Sequence, residues 1–257
     1  MMDLGLGGKR VLVTGGSKGI GLACAEAFAE AGCDLVLVAR DAAMLGAAAD
    51  GLRAKAQVNV QAFAGDLSKG EERERLHAAH PDIDVLVNNA GAIPPGALAD
   101  IPMARWQAAW DLKVMGYIHL CQLYLPGMEA RRAGVILNVI GMAGRNPRAG
   151  YIAGGAGNAA LIAFTCALGG AAGASGVRVL GINPALTRTD RLVTMAKGTA
   201  REKLGDEERW AETLSGLPMG RPAEPREIGE LAAFLASPRA GYLNGTVVDV
   251  DGGGTFR

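Results

Sequence analysis

Short apolar runs alternate along this chain with longer stretches in which apolar residues recur every three or four positions. The short runs are rich in Val, Leu and Ile and predict β-strands, whereas the longer periodic stretches predict helices. The predicted strands cover residues 9–15, 34–40, 59–66, 83–91, 134–141, 177–185 and 246–253. The predicted helices cover residues 19–32, 41–55, 69–79, 102–130, 150–174 and 225–236.

The predicted strands are apolar on both faces, which is typical of parallel strands covered by helices on each side. Regular alternation of strand and helix with right-handed crossovers predicts an α/β fold with a doubly wound parallel sheet. The chain has 257 residues and no break in composition, so we expect a single domain over residues 1–257. In this architecture ligands bind beyond the carboxyl ends of the strands.

Two stretches interrupt the pattern. Residues 149–177 carry no charge and are long enough to cross a bilayer, but they are rich in glycine and lie within the alternation. We therefore predict a buried helix there rather than a membrane span, with small residues that favour a contact between subunits. Residues 187–223 are polar and irregular. We expect a mobile cover over the ligand site, with an ordinary surface excursion as the alternative.

Charge and composition narrow the classes of function. The 26 Lys and Arg residues balance the 26 Asp and Glu residues, so no basic surface for nucleic acid or an acidic membrane is expected. Four cysteines and three histidines show no metal-ligand spacing, so we expect no metal. The first residues show no signal-peptide pattern. These features favour a cytoplasmic protein that acts on a small molecule.

The segment "TGGSKGIG" (14–21) joins the first predicted strand to the first predicted helix. Its glycines stand where a tight turn, close ligand approach and close helix–strand packing are needed. The free N–H groups and positive dipole at the start of the helix suit a pyrophosphate. The pattern predicts a dinucleotide site built from Gly15, Ser17, Lys18, Gly19, Ile20 and Gly21.

The end of the second predicted strand indicates which nicotinamide cofactor fits. NAD sites usually place an acidic side chain there to hold the ribose 2′-hydroxyl. Here the strand ends at Arg40, and Lys18 lies in the glycine loop. Two cations suit a 2′-phosphate, so NADP(H) is favoured over NAD(H). The alternative is that Asp41 holds the hydroxyl while Arg40 swings away.

The glycine spacing, "NNAG" (88–91), Tyr151, "INPALTRT" (182–189) and "DVDGG" (249–253) together resemble the short-chain dehydrogenase/reductase family over nearly the whole chain. The resemblance implies a Rossmann-type domain, hydride transfer at a carbonyl or alcohol, and a homotetramer or dimer. It also implies that Asp66 and Leu67 contact the adenine. The further cofactor contacts that it implies are Asn89, Ala90, Gly91, Pro184, Thr187 and Thr189.

The same resemblance implies a catalytic set of Asn, Ser, Tyr and Lys, and this chain departs from that set. Tyr151 matches the tyrosine, but the lysine expected four residues later is Gly155. Gly141 stands at the serine position and Lys113 at the asparagine position. The resemblance therefore indicates an atypical member in which glycine replaces the serine and the lysine.

The missing lysine matters because it would lower the pKa of the tyrosine. A free tyrosine has a pKa near 10, so lowering it by about three units needs roughly 4 kcal/mol, which a nearby cation can supply. We hypothesise that Lys113, on a neighbouring helix, supplies that charge. The alternative is that Lys113 faces solvent or pairs with an acid such as Asp111.

Three functions are compatible with these residues. The first is an NADP(H)-dependent oxidoreductase in which Tyr151 is the acid and base and Lys113 supports it. The second is a protein that binds the cofactor without redox turnover, as a sensor or structural partner. The third is elimination through Tyr151 without hydride transfer. The glycine loop and Arg40 favour the first function over the third, and Tyr151 favours it over the second.

Overall fold

One parallel sheet of seven strands forms the centre of the protein in a computed structural model that describes residues 3–256. In chain order the strands are β1 (Arg10–Thr14), β2 (Asp34–Ala39), β3 (Val60–Ala64), β4 (Val85–Asn88), β5 (Gly134–Val139), β6 (Val177–Pro184) and β7 (Val247–Val250). Their order across the sheet is β3-β2-β1-β4-β5-β6-β7. The winding reverses between β1 and β4, which opens a crevice at the carboxyl ends of these two strands.

Seven α-helices cover the two faces of the sheet in the described part of the chain. They are α1 (Gly19–Glu30), α2 (Ala42–Lys55), α3 (Gly70–Ala79), α4 (Met103–Arg131), α5 (Ile152–Ala172), α6 (Asp190–Leu204) and α7 (Pro225–Ala236). Residues of α1, α2 and α7 form the core on one face, and residues of α3, α4 and α5 form the core on the other. The structure thus confirms the predicted doubly wound α/β fold.

The segment after β6 is more regular than the sequence pattern predicts. Within residues 187–223 the structure contains α6 and a 3-10 turn at Glu207–Leu214. Helix α6 buries Leu192, Ala196 and Ala200, which are spaced four residues apart, and Thr189 caps it by accepting the Leu192 N–H at 3.4 Å. The helical period is present in α6, but Leu192 is the one large residue of its three buried positions, and the polar composition of the segment obscures the pattern.

Residues 152–175, which contain α5, form a helix long and apolar enough to cross a membrane by length and composition. In the structure 44% of its apolar window is buried, and Leu161 and Thr165 are fully enclosed beside α4 and the sheet. The core helix of a soluble protein passes the same test, so a single helix of this kind is weak evidence for a membrane span.

Candidate active site

The glycine loop between β1 and α1 leaves no room for a side chain at Gly15 or Gly21. Gly15 has a φ of +68°, and a Cβ added there would lie 2.8 Å from Nδ2 of Asn89. A Cβ at Gly21 would lie 2.1 Å from the carbonyl oxygen of Gly15. Asn89 fixes the start of the loop, since its side-chain amide donates a hydrogen bond to the Thr14 carbonyl at 2.9 Å. The loop therefore presents backbone to a ligand.

Thr14 ties the ends of β1 and β4 together at the crevice. Its hydroxyl accepts the N–H groups of Asn89 at 2.8 Å and Ala90 at 3.0 Å, and donates to the Val87 carbonyl at 3.2 Å. The predicted cofactor residues 89–91 are thereby brought beside the glycine loop. Ser17 and Ile20, in the loop and the first turn of α1, are half-buried.

The segment after β6 closes the other side of the loop. A Cβ at Gly19 would lie 3.2 Å from the methyl carbon of Thr189, so this threonine stands against the start of α1. Thr187 donates to the Ala185 carbonyl at 3.1 Å, just beyond the end of β6 at Pro184. Of the predicted residues on this segment, Thr189 therefore reaches the glycine loop, and Pro184 and Thr187 precede it between the end of β6 and α6.

Two cations mark the far end of the crevice. Lys18 and Arg40 are exposed, and no carboxylate within residues 3–256 lies within 4 Å of either charge. Asp41 is engaged elsewhere, because its carboxylate accepts the Met44 N–H at 2.9 Å and caps α2. Asp41, the acid that could hold a ribose hydroxyl, thus caps α2, whereas Lys18 and Arg40 have no carboxylate partner within residues 3–256.

Asp66 and Leu67 follow β3 near the same end. Burial acts to raise the pKa of Asp66, but hydrogen bonds from Ser68 and the charges of Arg40 and Lys69 hold it below its ordinary value. The Leu67 side chain is buried in the core, so its contribution to a ligand site is through the backbone.

These features fit a dinucleotide cofactor. Gly15 and Gly21 have no space for a side chain, helix α1 begins there with free N–H groups, and the unpaired cations Lys18 and Arg40 lie nearby. In the described part of the chain, no group of three or more His, Cys, Asp or Glu side chains is placed to hold a metal ion.

Tyr151 stands immediately before α5, with its ring folded over the first turn of the helix. A Cβ added at Gly154 would lie 2.0 Å from Cε1 and 2.2 Å from Cζ of that ring. The backbone before it is held by a hydrogen bond of 2.8 Å from the Gly96 N–H to the Gly150 carbonyl. The tyrosine ring therefore occupies the space that any side chain at position 154 would need.

Lys113 points into the protein. Its ammonium donates to the Ile140 carbonyl at 2.6 Å, and its stem lies against Gly91, where an added Cβ would be 2.8 Å from the lysine Cδ. Burial, helped by the charge of Arg191, lowers the pKa of Lys113 to about 8. Asp111 instead accepts from the Gln107 amide at 2.7 Å. The side chain thus takes neither of the alternative positions considered from the sequence.

Arg191, in the first turn of α6, is a site residue that the sequence pattern did not single out. Its guanidinium donates to the Ile93 carbonyl at 2.8 Å. Burial raises the pKa of the Tyr151 phenol, and the charge and hydrogen-bonding capacity of Arg191 oppose that rise. Nothing in the spacing distinguishes this arginine from the other cations of residues 187–203, so only the fold identifies it.

The turn after β5 supplies backbone groups to the site. Gly141 has a φ of +126°, and its carbonyl accepts from Nδ2 of Asn158 at 3.3 Å. Asn158 is 3% exposed, and its buried Oδ1 has no hydrogen-bond partner within residues 3–256. Gly155 is also buried, with an added Cβ 3.3 Å from the Ala143 carbonyl. Asn158 is therefore a side chain with an unused acceptor in this region.

Comparisons with known proteins agree with this geometry. The short chain dehydrogenase family matches residues 9–200. The 3-oxoacyl-[acyl-carrier-protein] reductase FabG of Chlamydia muridarum is 32% identical over 95% of this chain and 96% of its own. The 7alpha-hydroxysteroid dehydrogenase of Escherichia coli is 32% identical over 98% and 96%. The structure of L-sorbose reductase from Gluconobacter frateurii, complexed with NADPH and L-sorbose, matches with a TM-score of 0.91 and 34% identity over 98% of each chain.

Proposed function

The chain belongs to the short-chain dehydrogenase family of hydride-transferring oxidoreductases, and we propose that it acts on a carbonyl or alcohol of a small molecule with NADP(H). Tyr151 is the acid and base, and Lys113 supports it. The observation that carries this function is the Tyr151 phenol beside the cofactor crevice, with the guanidinium of Arg191 near enough to oppose the rise in its pKa.

Tyr151 donates its phenolic proton to the carbonyl oxygen in reduction and takes a proton from the alcohol in oxidation. Burial keeps the phenol protonated, which suits the donor role. The charge of Arg191 stabilises the phenolate that remains after Tyr151 has donated its proton. The buried side chain of Lys113 lies against Gly91. Arg191 thus takes over part of the role of the missing lysine in this proposal, and Lys113 adds its charge from α4.

The residues of the crevice hold the cofactor. The backbone of the glycine loop and the start of α1 face its pyrophosphate, and residues 89–91, Pro184, Thr187 and Thr189 line its path. Lys18 and Arg40 hold the 2′-phosphate, and the use of Asp41 as a helix cap supports NADP(H) over NAD(H). When bound, the nicotinamide supplies or accepts the hydride.

The replacement of the family's serine and lysine by Gly141 and Gly155 is part of this proposal. The contacts of Gly154 also allow a second alignment, in which the lysine position is counted from Gly154 and not from Tyr151. The Tyr151 ring occupies the place of a side chain at position 154. Four residues after position 154, where the family's lysine would then stand, the chain has Asn158. Asn158 faces Gly141, whereas Gly155 faces Ala143. In this alignment an asparagine on α5 stands opposite a lysine on α4.

Further parts of the proposal concern the surroundings of the site. Helix α6 and the turns that follow it, residues 187–223, act as the substrate cover of the single domain. The small exposed residues of α5 favour contact with a second copy, in a homotetramer or dimer. We place the protein in the cytoplasm.

The experiment is absorbance of NADPH or NADP⁺ with a panel of ketones and alcohols, using wild type, Tyr151→Phe and Tyr242→Phe. Loss of the acid and base is expected to lower turnover by roughly 10²–10⁴-fold. Tyr242 is fully exposed and serves as the matched control, with turnover unchanged. Equal turnover in wild type and Tyr151→Phe would contradict the role of the phenol.

A cofactor-binding protein without turnover is the second candidate. The specific observation in its favour is that Gly141 and Gly155 offer no side chain while burial raises the pKa of Tyr151. NADPH binding with no absorbance change across the whole panel would favour this function over the first.

A further inference from the structure

Within the described part of the chain, two neighbouring cations lack carboxylate partners, Arg191 beside Tyr151 and Lys113 within the reach of the charge of Arg191. Arg145 and Arg188, in the segments that flank the site, each pair with an acid, at 3.4 Å and 2.9 Å. In contrast, no carboxylate within residues 3–256 lies within 4 Å of the charges of Lys113 or Arg191. Local acids thus neutralise the flanking arginines and leave this pair unneutralised.

The two unpaired cations meet at one short segment. The stem of Lys113 lies against Gly91, and the guanidinium of Arg191 binds the carbonyl of Ile93, two residues further on. Ile93 belongs to the same apolar cluster as the ring of Tyr151. The phenol and the guanidinium therefore meet near Ile93, beyond the carboxyl end of β4, and the side chain of Lys113 passes two residues away, within the reach of the charge of Arg191.

Both cations have unused donors. An ammonium has three N–H donors and a guanidinium has five. Within residues 3–256, Lys113 donates one hydrogen bond, to the Ile140 carbonyl. Arg191 donates to the Ile93 carbonyl and lies within hydrogen-bonding reach of the Tyr151 phenol, which leaves most of its N–H donors unused. The charge of Arg191 also disfavours the charged form of Lys113, and burial strengthens this effect. An anion placed between the two would satisfy donors of both and remove the repulsion.

We propose that Lys113 and Arg191 bind a carboxylate of the substrate, so that the protein acts on oxo acids and the corresponding hydroxy acids. This substrate class rests on the proposed function. In reduction, the carbonyl carbon gains a hydride from NADPH and the carbonyl oxygen gains the phenolic proton of Tyr151, giving a hydroxy acid and NADP⁺. Solvent returns the proton to the phenolate, and the substrate carboxylate is unchanged.

The position of Arg191 favours a substrate carboxylate over a cofactor phosphate. The glycine loop and Thr189 enclose the phosphate site at the start of α1. Arg191 lies two residues beyond Thr189 and reaches toward Ile93 and the phenol instead. Its charge is therefore directed at the reacting group.

The test is calorimetric binding to protein saturated with NADP⁺, which cannot reduce the added ligand. The probes are 2-oxobutanoate and levulinate, each compared with its methyl ester. At least one acid is expected to bind roughly tenfold or more tightly than its ester, as for a charge-assisted hydrogen bond. Arg191→Gln should abolish this difference. Arg201→Gln, on the same helix but paired with Glu207, should retain it.

Several results would overturn the carboxylate site. The first is that neither acid binds more tightly than its ester. The second is that Arg191→Gln and Arg201→Gln lose the difference in affinity between acid and ester to the same extent. Weaker NADP⁺ binding in Arg191→Gln, with the acid–ester difference intact, would assign the arginine to the cofactor. If neutral ketones are reduced and acids bind no better, the proposed function stands without this site. An Arg191-dependent preference for acids without any turnover would leave the site standing and the function wrong.

Discussion

Substitution of Gly154 by alanine tests the position of the Tyr151 phenol without changing any charge around it. The new Cβ would lie 2.0 Å from Cε1 of the ring, whereas ordinary contact begins at about 3.4 Å. The ring must therefore retreat, because the helix backbone that carries the methyl group is fixed by its own hydrogen bonds. The substitution changes no ionisable group and no residue of the glycine loop.

The expected loss follows from the size of that retreat. A displacement of about 1 Å at a reacting group costs roughly 10²-fold in rate. We expect kcat of Gly154→Ala to fall by about that factor, with the dissociation constant for NADP⁺ unchanged. In a double-mutant cycle with Tyr151→Phe, the second substitution should then cost much less than it does alone, because both changes remove the same proton donor.

Gly51→Ala, inside α2 and away from the small exposed residues of α5, is the matched control. An added Cβ there meets nothing within 4 Å, so kcat should stay at the wild-type value and stability should rise by roughly 0.5–1 kcal/mol. Steady-state kinetics and thermal unfolding of the three proteins provide the data. Wild-type kcat in a folded Gly154→Ala variant would refute the placement of the phenol as the proton donor.

Two further predictions concern the cations. Since burial holds the pKa of Lys113 at about 8, below its ordinary 10.5, the unfolded chain keeps this proton to higher pH than the folded chain. The group therefore adds stability as pH rises from about 8 toward about 10.5, and Lys113→Met should lose that rise in denaturant unfolding; identical pH profiles would contradict the buried charge. Arg40→Ala should weaken NADPH binding relative to NADH by roughly 10- to 100-fold in fluorescence titration, and an unchanged ratio would remove Arg40 from cofactor selection.

The sheet and its crevice were predictable from the sequence because they depend on local patterns. Apolar runs set the seven strands, and the spacing of Gly15, Gly19 and Gly21 marks the loop at the reversal point. Helix α6 was not predicted, since Leu192 is the one large residue of its three buried positions and the polar composition of the segment obscured the helical period.

The composition of the site depended on contacts between distant residues, and here the sequence was less informative. The sequence left open whether Lys113 turns toward Tyr151, faces solvent or pairs with an acid, and the structure places it inward, against Gly91 and Ile140. The proximity of Arg191 to Tyr151 depends on how α6 returns across the sheet end. No spacing rule relates residues 40 positions apart in sequence that meet only in the fold.

The hydrogen bond between Arg191 and Ile93 joins α6 to the segment that follows β4, and the same guanidinium opposes the rise in the pKa of Tyr151. Any outward swing of α6 would break this bond and carry the positive charge away with the helix. Access to the crevice and the acidity of its proton donor would then change in one movement. With α6 displaced, a substrate could enter, but the pKa of the Tyr151 phenol would be higher. The pKa would fall again when α6 returned and Arg191 lay beside the phenol.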